Sequence, residues 1–284
     1  MNKIVGMMAA VGVSLVMAST VLAAAGKVAY TVHNMSSTNP GGLNRYIKSD
    51  TETQICIFCH TPHNARPAVP LWNKVMPSQA FNMYTSSSTL SPAASAVTAP
   101  GPESLLCLSC HDGRTAINVL HNSRNPAAQS VGTDKVVSLD GFAYNDPNVP
   151  ANGTEGIGVG IGISMGTLGF IGSYSPNIGK TSSDDYYGGN LMDDHPISFS
   201  YTDAQGDKPA KLNSLADVGS KSGYAIRFFG PERRLECSSC HDPHVAYQAD
   251  RMGTPGLTEG DPKLRPFLVM SNEGSALCFA CHNK

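Results

Sequence analysis

The sequence predicts a mostly irregular chain with few short helices and minor β structure, built around something other than its own side chains. Three observations point there. Among 284 residues, 28 are glycine and 19 proline, which interrupt helical and strand periodicity along most of the chain. Aromatic residues make up only 7 %, few for the core of a chain this long. All eight cysteines fall into four repeats of one pattern, C-x-x-C-H, so the chain carries four places where a foreign group can be bonded to it. The formal charge of -2 gives no reason to expect a polyanionic partner, and nucleic acid binding is set aside.

Taken in order, the chain opens on "MNKIVGMMAAVGVSLVMASTVLAAAGK", a lysine, an apolar run and small residues that suit cleavage after Ala23. The expectation is an exported protein, periplasmic, cell-surface or extracellular. No cysteine near the cleavage point offers a lipid anchor and no second long apolar run follows, so no transmembrane segment is expected in the mature chain.

The four motifs are Cys56, Cys59 and His60; Cys107, Cys110 and His111; Cys237, Cys240 and His241; Cys278, Cys281 and His282. Residue frequencies predict about 0.007 such motifs per chain by chance. Disulfides or zinc sites would use the cysteines but leave unexplained a histidine directly after every second one. Covalent haem attachment explains it: two thiols add to the two vinyl groups and the next side chain becomes the proximal iron ligand. Four covalently bound c-type haems are expected.

The first and third motifs extend into octets, "CIFCHTPH" and "CSSCHDPH", ending at His63 and His244. Three residues span at most about 10 Å. Gripping one iron from both faces would set the two Cα atoms on the order of 12 Å apart. His63 and His244 therefore cannot complete the haem of His60 or His241; each serves a neighbouring haem, with Pro62 and Pro243 stiffening the approach, or is a hydrogen-bonded surface histidine. The second and fourth motifs, "SLLCLSCH" and "SALCFACH", also match, so the chain reads as a duplication of a dihaem module. Within each module the nearest assignment sends His63 to the iron of His111 and His244 to that of His282. His33, His121 and His195 remain for the other two irons. His195 in "DDHPISF", oriented by Asp194, is the first choice for the third haem. His33 reaches the first haem or another molecule. His121 either binds iron or caps a helix. Methionines 35, 76, 83, 165, 192, 252 and 270 are read as gap fillers.

The domain reading is a leader at 1–23, an N-terminal dihaem module at 24–120, a glycine-rich connecting segment at 121–230 carrying one distal ligand, and a C-terminal dihaem module at 231–284. Residues 151–180 alternate glycine with Ile or Val, which suggests a strand or hairpin and matches neither a dinucleotide fingerprint nor a phosphate loop. Short helices are expected at 103–120 and 275–282 and a strand at 135–144, with loop elsewhere and Trp72 packed against a haem or in the core.

"CIFCHTPHNA", "PLWN", "LCLSCHDG", "DHPISF", "CSSCHDPH", "LCFACHNK" and the early "HN" at His33 together resemble the exported multihaem c-type cytochromes with doubled C-x-x-C-H modules. Most similar are the tetrahaem outer-surface members of metal-respiring bacteria that assemble into nanowire filaments. The resemblance implies distal ligands at His33, His63, His195 and His244, a continuous line of haems, and a homopolymer in which His33 completes a haem of the next subunit. It implies electron transfer to other redox proteins or extracellular acceptors, with a periplasmic shuttle as one alternative. A multihaem oxyanion reductase with one open haem is the enzymatic alternative, and it is disfavoured because every motif ends in histidine.

Overall fold

The computed structural model describes residues 28–39, 48–65, 71–85, 87–112, 115, 117–137, 158–159, 169–170, 189–247 and 260–284. The leader and most of the glycine-rich stretch lie outside these residues. The chain is mostly coil, with short helices and small sheets. No described helix is long and apolar enough to cross a membrane.

The helices are α1 (Pro92–Ser95), α2 (Pro102–His111), α3 (Tyr201–Asp207), α4 (Leu215–Ser222), α5 (Cys237–Cys240) and α6 (Ala276–Cys281). The strands are β1 (Val119–Leu120), β2 (Gln129–Val131), β3 (Asp134–Val136), β4 (Gly158–Val159), β5 (Gly169–Phe170), β6 (Phe199–Ser200) and β7 (Arg234–Leu235). They form an antiparallel sheet in the order β1-β3-β2 and two antiparallel pairs, β4-β5 and β6-β7. The β4-β5 pair is the hairpin contact that the alternating glycines suggest.

Two expectations change. The helix expected at 103–120 stops at His111, because the Asp112 carboxylate accepts from both the backbone N–H and the hydroxyl of Thr115 and turns the chain aside; Val119 and Leu120 are strand. The strand expected at 135–144 begins at Asp134 and is described only to Val136. Two helices occupy a region read as loop. At α3 the Ser200 hydroxyl accepts from the N–H of Asp203, and at α4 Ser214 does the same for Asp217. Gly223 closes α4 in the left-handed conformation, at φ 57°.

The described core is divided. Met35, Ile57, Phe58, Ile117, Leu120 and Val137 pack under the first motif; Phe81, Met83, Leu108 and Leu191 pack under the second. Phe199, Tyr201, Ala204, Val218, Ile226, Leu235 and Ala280 pack beside the fourth. Met35 and Met83 fill gaps here, as expected.

Candidate metal centres

Each motif is held on one helical turn. His60, His241 and His282 donate their backbone N–H to the carbonyls of Cys56, Cys237 and Cys278 at 2.7, 3.0 and 2.8 Å. The second motif ends α2. A helical turn sets the two cysteines, three apart, on one face with the histidine following. All eight cysteines are free thiols.

The octets are strapped in the same way, which carries the duplication from sequence into structure. In the first, Thr61 donates to the Leu71 carbonyl and Asn73 to that of Cys59; in the third motif Asp242 donates to Phe267 and Val269 to Cys240. Leu71 and Phe267, at equivalent places, both take left-handed φ, 61° and 60°. The Asn73 side chain ties the first strap to Ile57 and Asn122. Trp72 pairs with His60 in the strap, its ring edge-on at 5.4 Å from that imidazole.

Successive motifs neighbour one another through their cysteines. Cys59 neighbours Cys110, and burial first, then Cys110, pushes its thiol up to about 12. Cys107 is hydrogen-bonded to Cys237, which raises Cys107. Cys240 neighbours Cys281 and is pushed up to about 12, by burial before that neighbour. Cys56 and Cys278, in the terminal motifs, are the exposed cysteines.

The imidazoles come together as pairs. His244 lies 6.4 Å from His60 with planes 14° apart, His33 lies 6.1 Å from His111 at 82°, and His195 lies 6.3 Å from His282 at 70°. Two imidazoles on opposite sides of one metal, with metal–nitrogen bonds of about 2 Å, have ring centres about 6 Å apart. Every pair joins a motif histidine to one outside the motifs. The residues present thus fit iron held from two sides. Nδ1 of His195, His241 and His244 is bonded to the Pro196 carbonyl, the Pro266 carbonyl and the Asp242 carboxylate at 2.8, 2.9 and 2.7 Å, which leaves Nε2 as the nitrogen available to a metal.

Electrostatics favour neutral rings at several positions. Burial, then His111, lowers His33 to about 3. Burial lowers His60, with His244 adding to it, and burial followed by His195 lowers His282. His244 is raised, chiefly by its hydrogen bond to Asp242.

The pairing differs from the nearest-in-sequence assignment. His33, not His63, lies opposite His111; His244 lies opposite His60 rather than His282; His195 lies opposite His282 rather than His241. The fold brings the C-terminal octet back over the first motif, a long-range contact that spacing does not encode. The His195 ring is oriented by the Pro196 carbonyl, not by Asp194. His33 sits inside its own chain, 4.5 Å from the Phe267 ring, which withdraws it from the interchain role. His121 follows β1, caps no helix, and bonds the Asp134 carboxylate at 3.0 Å. His63 and His241 are exposed, and neither has a ring partner among the described residues. His241 is the only exposed motif histidine.

Comparison with protein-family models and with curated proteins finds no match to the chain.

Proposed function

We propose that the protein is an exported tetrahaem c-type cytochrome that carries electrons through a row of histidine-ligated haems. The observation that carries the reading is the recurrence of three imidazole pairs at 6.1 to 6.4 Å, each uniting a C-x-x-C-H histidine with a distal one. Cys56, Cys59, Cys107, Cys110, Cys237, Cys240, Cys278 and Cys281 hold the four groups, His60, His111, His241 and His282 are the proximal ligands, and His244, His33 and His195 are distal ligands for the first, second and fourth. A haem held this way supplies a reversible one-electron couple. The chain's own work is to orient the rings through Pro196, Pro266 and Asp242, to close the iron against substrates, and to keep successive motifs adjacent. The exposed cysteines of the outer motifs suit exchange with redox partners at the two ends of the row.

The unmatched histidines point to a second copy of the chain as partner. In the C-terminal octet, His244 reaches the motif of the preceding octet, and Phe267 of its strap packs on His33. The N-terminal octet has the same parts, His63 and Leu71, and both are exposed, Leu71 at 51 %. Its preceding octet would be that of a neighbouring molecule, whose exposed His241 has no ring partner among the described residues. A head-to-tail contact of this kind builds a filament when its rotation does not close a ring, and the filament is the form proposed here. Export to the cell surface or beyond belongs to the same reading.

His241 also favours a second reading, an oxyanion reductase in which the third haem stays open. One set of measurements separates them. Pyridine haemochrome analysis and intact mass of the exported protein should report four haems; colourless protein of bare-chain mass refutes the proposal. Filaments in electron micrographs with all haems low-spin, and monomers with one high-spin haem after His63→Ala, support the polymer. Monomeric wild-type protein with one high-spin haem that binds nitrite supports the reductase.

A further inference from the structure

The joint between the second and third motifs contains a buried carboxylate that haem attachment does not use. Glu236, directly before Cys237, has a fully buried side chain. It accepts from the hydroxyls of Ser104 at 2.5 Å and Ser198 at 2.7 Å and from Arg234 Nε at 3.0 Å. Ser104 also accepts the backbone N–H of Cys237 at 3.1 Å and stands one turn before Cys107 on α2. Ser198 accepts from the Gly101 N–H at 2.7 Å. At Gly101 a Cβ would fall 2.2 Å from Glu236 Oε1, so the chain keeps that position open for the carboxylate. Arg234 does not neutralise the cluster. Its guanidinium is divided among Glu236, Glu232 and Glu103, and it is the partly exposed member of its pair with Glu236. Carboxylates outnumber the cation.

An anion only partly compensated in a low-dielectric region favours the extra positive charge of ferric over ferrous haem, and so opposes reduction nearby. Resting on the tetrahaem reading above, we infer that Glu236 is a tuning residue that holds the reduction potentials of the two central haems below the values they would otherwise have. The charge stands directly before Cys237 and is bonded to Ser104, one turn before Cys107, so it acts most directly on the second and third haems.

The test is a potentiometric titration of the full-length, haem-loaded protein, followed by optical and EPR spectra, for wild type, Glu236→Gln, Arg234→Gln and Ser198→Ala. In Glu236→Gln two of the four midpoint potentials should rise more than the other two. Arg234→Gln removes the cation and should lower the same two. Ser198→Ala loosens the joint but keeps the charge, so a merely structural role predicts that it mimics Glu236→Gln, and the tuning role predicts that it does not. Should Glu236→Gln fail to fold, the downward shift in Arg234→Gln decides alone. A uniform shift of all four potentials, no shift, or a shift of the same sign in both charge variants overturns the inference. Wild-type protein without haem overturns the premise instead, and the haemochrome assay tells these failures apart.

Discussion

Removal of His244 tests the least expected feature of the site, the reach of the C-terminal octet to the first motif. The three imidazole pairs differ in ring orientation: 14° between His60 and His244, against 82° for His33 and His111 and 70° for His195 and His282. Ring orientation controls the spectrum of a ferric bis-imidazole haem. Near-parallel rings split the iron d orbitals and give a rhombic low-spin EPR signal, whereas near-perpendicular rings leave them almost degenerate and give a strongly anisotropic low-field feature. The oxidised protein should therefore show one rhombic component and two anisotropic ones from these pairs. His244→Ala should abolish the rhombic component, leave the anisotropic ones, and convert one of the four irons to high spin. The side chain is half exposed, at 51 %, and among the described residues its hydrogen bond is to Asp242, so the fold should survive. A combined variant supplies the control: His244→Ala made in a Cys56→Ala, Cys59→Ala background, which lacks the first haem, should add no high-spin signal. If the rhombic component persists in His244→Ala, or new high-spin iron appears in the combined variant, His244 serves the haem of His282 and the long-range pairing is wrong.

Two further outcomes concern stability. Lys74 is buried, with Nζ donating to the carbonyls of Ile117 at 2.7 Å and Val119 at 3.2 Å. Lys74→Met would orphan both, at on the order of 1–3 kcal/mol each, and a fall in the urea midpoint without loss of haem measures it. The Asp194 carboxyl is pushed up from 3.8 to about 6, by burial first and then by Asp193. The folded chain then holds this proton more tightly than the unfolded chain. Stability from this group should be full below pH 3.8, fall as the pH rises towards 6 and level off above that. Asp194→Asn should remove that fall, seen as a difference between urea midpoints of variant and wild type across the window.

The parts of this protein that were legible in its sequence are those fixed by short spacing. Cys56 to His63 and Cys237 to His244 stand out by spacing alone, and the three-residue limit that keeps His63 from pairing with His60 agrees with the ring that does lie opposite His60, that of His244. The sparse secondary structure follows from glycine and proline content. Which distal histidine meets which motif was not legible, because it depends on contacts between residues as far apart as His60 and His244 that no local pattern constrains. His33 was expected to reach the first haem or another molecule, yet it lies against His111 and against Phe267, more than two hundred residues later. The helices at Tyr201–Asp207 and Leu215–Ser222 were missed although Ser200 and Ser214 each stand three residues before an aspartate, a cap signature that the weak apolar patterning around them concealed. The tail of the helix at 103–120 was lost to one side chain, Asp112, whose bonds to Thr115 compete with the backbone ladder.

The crossing of His244 to the first motif orders the birth of the molecule. His60 is synthesised long before the residue that stands opposite it, so the first imidazole pair is among the last to be completed. On the proposed tetrahaem reading, a chain broken anywhere before residue 244 would hold its first haem with one side bare and open to small ligands. Completion of the first pair thus requires synthesis as far as residue 244.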